Sequence, residues 1–118
     1  MEAKAIRNGI LDEMGIKVRT KSAGANWDKC NVRFNTIPRK NGQSSYFVIF
    51  KTKRKPHIET ALSEVKKVAR KMGVPMRKMR KHNSNRTDAP RIKYDCKRKR
   101  IGKSGPSMWY LELTISYL

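Results

Sequence analysis

Apolar residues recur at steps of three and four from Ile58 onward: Ile58, Ala61, Leu62, Val65, Val68, Ala69 and Met72. That spacing puts them on one stripe of a helix over residues 57–72. The opposite face carries Lys66, Lys67, Arg70 and Lys71. Pro56 suits a first turn, because the amide it lacks has no partner there. Gly73 suits a left-handed stop, and Pro75 blocks continuation. One face of this helix is predicted to be buried, and the other to offer cations.

A similar stripe of Ala3, Ile6, Ile10 and Met14, with Leu11 beside it, predicts a first helix over residues 2–14. Gly9 weakens that helix by about 1 kcal/mol relative to alanine, and Gly15 can end it. Residues 16–20 alternate and predict a short strand, whereas residues 21–27, KSAGANW, read as a loop. Val32, Phe34 and Thr36 alternate with Arg33 and Asn35, the pattern of a half-buried strand. A basic turn over residues 38–45 leads into Tyr46–Phe50, YFVIF, which is apolar on both faces. Such a strand needs cover on both sides, and a homodimer is one way to supply it if the helices cover only one.

Residues 75–82, PMRKMRKH, read as a short helix or a basic loop, and residues 82–90 as a polar linker. Ile92, Tyr94 and Cys96 share one side of a strand over 91–101. Trp109, Leu111, Leu113, Ile115 and Tyr117 alternate along the last strand, 108–118. The expected fold is α+β and a single domain spanning residues 1–118. An antiparallel sheet of four to five strands, with hairpins 31–53 and 91–118, carries both helices on one face.

The two halves share a pattern. Met14-Gly15-Ile16 and Arg19 stand 58 residues before Met72-Gly73-Val74 and Arg77, and Val32-Arg33-Phe34-Asn35 stands 60 before Ile92-Lys93-Tyr94-Asp95. An αββ–αββ internal repeat would explain this, as would two amphipathic units of like design. In the repeat, Asn8, Gly9, Asp12 and Glu13 stand opposite Lys66, Lys67, Arg70 and Lys71. Core packing does not require that change of charge, whereas contact with a polyanion would.

Charge sharpens the picture. The 118 residues hold 29 Lys and Arg against 9 Asp and Glu, a net charge of +20. Solubility is usually met with mixed signs and a net charge of roughly 2 to 8. The excess therefore points to a polyanion partner. The cations cluster at Arg39 and Lys40, at Lys51, Lys53, Arg54 and Lys55, along Lys66, Lys67, Arg70 and Lys71, at Arg77, Lys78, Arg80 and Lys81, and at Lys97, Arg98, Lys99 and Arg100. Roughly ten to fifteen phosphate contacts would give salt-sensitive, largely sequence-blind binding. Single strands would call for aromatic rings among the cations. Aromatics are 8% of the chain, and Trp27, Tyr46 and Tyr110, the available rings, suit core positions. Duplex DNA is favoured as partner, with RNA as the alternative and an acidic protein surface as a further one.

The order helix, short strand, two strands, helix over residues 2–72 resembles that of double-stranded RNA-binding domains. Val65-Lys66-Lys67-Val68-Ala69-Arg70-Lys71 is similar to their lysine-rich second-helix signature, although its lysines lie mid-helix here and at the helix start in that family. Residues 31–72 also look like AP2 and integrase arm-type DNA-binding domains, which read a groove with a three-stranded sheet. No diagnostic arginine–tryptophan pattern accompanies that likeness. Both are resemblances of topology.

Catalysis is not expected. Cys30, His57, His82 and Cys96 lack the paired spacing of zinc modules, and no metal or cofactor is expected. Asp95-Cys96-Lys97 and Glu64-Val65-Lys66 fit a short acid-x-lysine element that resembles the restriction-type nuclease core. Such tripeptides arise by chance among so many lysines, and metal-dependent cleavage needs clustered carboxylates. Two cysteines do not make a disulfide framework. The N-terminus has no signal-peptide layout, no apolar run approaches a membrane span, and a cytoplasmic protein with reduced thiols is expected.

Overall fold

The computed structural model describes residues 2–16, 24–38, 44–79, 90–100, 102–103 and 105–117. Helix α1 spans Ala3–Glu13 and α2 spans Lys55–Met72. The strands are β1 (Gly24–Trp27), β2 (Cys30–Ile37), β3 (Ser45–Thr52), β4 (Met76–Lys78), β5 (Arg91–Arg100) and β6 (Ser107–Ser116). They form one six-stranded sheet in the order β1-β2-β3-β6-β5-β4. All neighbours are antiparallel except β4 and β5, which run parallel. No described helix is long and apolar enough to cross a membrane.

The α+β class, the two hairpins and both helices on one face match the expectation. The strand number and the purely antiparallel sheet do not. Gly24–Trp27, read as loop from its composition, pairs with β2 as an edge strand. Met76–Lys78, read as helix or basic loop, is extended beside β5. The Met79 amide donates to the Tyr94 carbonyl at 2.7 Å, and the Ile92 amide to the Pro75 carbonyl at 3.0 Å. Sheet hydrogen bonds thus decide the conformation of a segment too short to show a period. The strand expected over residues 16–20 falls largely outside the described residues, as do the basic turn at Arg39 and Lys40 and the linker after Met79.

Both helices end alike. The Gly15 and Gly73 backbones take φ of 73° and 71°. The Ile16 amide reaches the Leu11 carbonyl at 2.7 Å, and the Val74 amide the Ala69 carbonyl at 3.0 Å. These are Schellman stops, in which a left-handed glycine turns the chain and satisfies carbonyls the helix leaves open. The strand order is also mirrored about the β3–β6 pair, with the parallel β4 breaking the correspondence.

The core lies between the helices and one sheet face. Val32 and Phe34 of β2, Val48 and Phe50 of β3, Leu111, Leu113 and Ile115 of β6 and Ile92 of β5 meet Ile6, Ile10 and Leu11 of α1 and Ile58, Ala61, Val65 and Val68 of α2. Trp27 packs edge-on against Phe50, with ring centroids 6.0 Å apart. Arg7 is buried within the α1 face. Its guanidinium lies 4.8 Å from the centre of the Tyr46 ring and donates to Asn8 Oδ1 at 3.0 and 3.1 Å.

Gly9 sits where α1 approaches α2. A Cβ there would lie 2.8 Å from Met72 Cε, the mobile end of a flexible side chain. Gly9→Ala is therefore expected to stabilise the fold by about 0.5–1 kcal/mol through helix propensity, with Met72 changing rotamer. Urea denaturation reads this as a higher midpoint at unchanged slope; a lower midpoint would mean that Met72 cannot move.

Candidate nucleic-acid interface

Helix α2 presents the cations its sequence pattern predicts. Lys66, Lys67, Arg70 and Lys71 are all exposed, while Ile58, Ala61, Val65, Val68 and Ala69 are buried. The exposed four are not equivalent. Lys67 lies 3.4 Å from Glu64, and Lys71 bridges to Glu13 of α1 at 3.2 Å. Lys66 and Arg70 pair with no described carboxylate, and the Lys66 ammonium lies over the Tyr94 ring, 5.2 Å from its centre.

That contact links the helix to β5. Residues Cys96, Arg98 and Arg100 lie on the helix-bearing side of β5 and are exposed, beyond the cover that α2 gives to Ile92. Arg98 and Lys55 both approach the Trp109 ring, at 5.9 and 5.6 Å from its centre. Lys78 of β4 stands opposite Tyr94 in register. Lys55, Lys66, Arg70, Lys78, Arg98 and Arg100 thus share one flank of the molecule, along α2 and the helix-facing side of β5. Glu59, ion-paired with Lys55 at 3.8 Å, is an acid on the same flank.

Strand alternation divides the run Lys97–Arg100, which the sequence presents as one cluster. Arg98 pairs with Trp109 and faces the helices, whereas Lys97 pairs with Tyr110 and faces away from them. Lys97 lies 3.2 Å from Glu112 and 3.6 Å from Asp95. Its ammonium is held above the usual lysine range, mainly by the hydrogen bond and charge of Glu112. The acid-x-lysine element at Asp95 therefore gathers a second carboxylate, and Lys97 bridges the two. Among the described residues, no group of three His, Cys, Asp or Glu side chains comes together as a metal site.

Lys53 and Arg54 lie exposed at the start of α2, where the first turn holds no acidic residue and no side chain caps the free amides. A cavity of about 430 Å³ adjoins them, lined also by Lys29, Cys30, Lys51, His57 and Met108. Arg77 is exposed on β4. Arg39, Lys40, Arg80 and Lys81 lie outside the described residues.

Cys30 is 2% exposed, and burial, with Asp28 adding, pushes its thiol up to about 11. Its Sγ contacts the His57 carbonyl at 3.7 Å. Cys96 is exposed. A thiol held that high stays protonated at pH 8 and is a poor nucleophile there. Iodoacetamide at that pH is expected to modify Cys96 first and Cys30 only after denaturant is added; mass spectrometry of the peptides decides it.

Arg33 and Lys93, which pattern reading did not single out, and Lys51, which it placed in a basic run with Lys53, Arg54 and Lys55, lie on the sheet face opposite the helices. Their alternation with buried neighbours was visible, but not that no described helix or strand covers this face. No protein-family model matches the chain, and comparison with curated proteins gives no match.

Proposed function

We propose that the protein binds nucleic acid through phosphate contacts and without catalysis, with duplex DNA the favoured partner. The observation that carries this reading is the one-sided flank of α2 and β5. Lys66, Arg70, Lys78, Arg98 and Arg100 are exposed there, and none forms an ion pair with a described carboxylate. Unpaired cations on one flank of a chain carrying +20 repel one another until an anion arrives. A phosphate backbone supplies regularly spaced anions, and each contact releases condensed counterions. Lys53 and Arg54 extend the track at the start of α2, where the helix dipole adds to their charge. On the same reading the two halves are copies, of which the second acquired the cations.

Duplex RNA is a second reading, supported by the order α1-β1-β2-β3-α2 with both helices on one sheet face. A titration across salt against equal-length duplex DNA, duplex RNA and single strands tests both. Steep loss of duplex affinity with log[salt] is expected, and tighter binding of the RNA duplex would select the second reading. Failure of every nucleic acid to bind below about micromolar at moderate salt would overturn the proposal and favour an acidic protein surface.

A further inference from the structure

The sheet face opposite the helices carries no described helix or strand layer. Three of its apolar side chains, Phe47 and Ile49 of β3 and Tyr110 of β6, are half-buried and lie outside the core cluster. Ladder register sets their surroundings. One row across the sheet runs Asn31, Lys51, Tyr110, Lys97; the next runs Arg33, Ile49, Glu112, Asp95; the third runs Asn35, Phe47, Thr114, Lys93, Arg77. Lys51 and Lys99 flank the Tyr110 ring, their ammonium groups 5.9 and 5.6 Å from its centre. The acids of this face, Asp95 and Glu112, are both paired to Lys97. Lys93 has its ammonium pushed down by burial, with Arg91 adding. Beyond the third row Ser45 and Ser116 are buried, which bounds the open area.

Building on the nucleic-acid reading, we propose that this sheet face binds an unpaired nucleic-acid strand, with Phe47 and Tyr110 stacking on bases and Lys51, Lys99, Lys93 and Arg33 meeting phosphates. Three physical arguments select that occupant. Size opposes seating the whole sheet in a groove: six strands span about 24 Å, twice the roughly 12 Å width of the major groove. Charge opposes a second copy of the chain, since a two-fold pairing would bring together two faces that each carry Lys51, Lys93, Lys99 and Arg33. Chemistry fits a single strand: Phe47 and Tyr110 stand about 14 Å apart, from four residues of strand rise and one strand spacing, with Ile49 between them. Rings interleaved with cations on an open sheet stack bases, here ones separated along the strand, and track the backbone. The lysines beside Tyr110 are placed to exchange a ring contact for a phosphate. The protein then holds paired nucleic acid on one flank and an unpaired strand on the opposite face.

The test uses the whole protein, oligo(dT) and oligo(U) of about 20 nucleotides, and a duplex of equal length. Phe47→Leu/Tyr110→Leu removes both rings while keeping apolar cover. It is expected to weaken oligonucleotide binding about 30-fold or more, with unchanged salt slope and unchanged duplex affinity. Lys51→Gln/Lys99→Gln is expected to lower the single-strand slope by about 1.4. Photo-cross-linking with iodouracil-bearing strands is expected to mark Phe47 and Tyr110, and the oligo(dT) and oligo(U) arms separate DNA from RNA. Wild-type single-strand affinity in both variants, or cross-links confined to the α2 flank, would overturn the inference while leaving duplex binding intact. A dimer that shields Tyr110 without nucleic acid would also overturn it. Loss of all nucleic-acid binding in the native protein would instead remove the reading on which it rests.

Discussion

Replacing Lys66, Lys67, Arg70 and Lys71 with alanine is expected to lower duplex affinity by about 100- to 1,000-fold near 0.1 M salt. The salt slope should fall by about three to four, since each phosphate contact contributes about 0.9. All four side chains are exposed, so the fold should survive: surface substitutions usually stay within about 0.5 kcal/mol. Two of the four carry carboxylate partners, Lys67 with Glu64 and Lys71 with Glu13. Exposed pairs of this kind contribute about 0–1 kcal/mol, so a phosphate can recruit these lysines at small cost. A Lys66→Ala/Arg70→Ala variant should nonetheless lose more affinity than Lys67→Ala/Lys71→Ala. Fluorescence anisotropy across salt reads both quantities. An unchanged slope in the quadruple variant would move the interface elsewhere on the molecule.

Phe50→Ala should cost about 3–5 kcal/mol, a large part of the roughly 5–15 kcal/mol that holds a domain of this size together. Phe50 is 0% exposed and touches the edge-on Trp27 ring. Its cross-strand neighbours are Val32 and Leu111, both buried. Phe47 is only three residues away, yet Phe47→Ala should cost less, about 1–2 kcal/mol, because it is only half-buried and packs outside the core. Urea denaturation of the two variants gives the comparison directly. Equal losses would mean that the open sheet face is packed, and would count against a strand-binding role for it.

The contrast between Phe47 and Phe50 marks where sequence reading stops. YFVIF is apolar on both parities, and its composition calls for cover on both sides. The helices cover the Val48 and Phe50 side alone. The other side is left to Phe47, Ile49 and their charged neighbours: Arg33 and Lys51 come from the first hairpin, but Lys93, Asp95, Lys97 and Glu112 come from β5 and β6, more than forty residues further along the chain. No local window contains that juxtaposition. The same limit applies to Lys97–Arg100: alternation could separate two faces, but only the position of α2 shows that Arg98 flanks the helix while Lys97 is held by Glu112.

Short edge strands were illegible for a different reason. Gly24–Trp27 and Met76–Lys78 hold four and three residues, no more than two full periods of alternation. Their conformation comes from hydrogen bonds offered by β2 and β5, and propensity has little say. Longer elements were legible because burial of one face demands a period. The stripe from Ile58 to Met72 and the alternation from Trp109 to Ile115 allowed little else, and Gly15 and Gly73 marked their helix ends through the left-handed turn each adopts.

The sequence by itself determined the two helices, the four long strands, their inward faces and the excess of positive charge, because each follows from local period or composition. The tertiary structure alone decided which cations stand together, which are neutralised and which apolar side chains remain uncovered. Those outcomes depend on strand order and on where two helices run out of sheet to cover, and both are set by contacts between residues far apart in the chain.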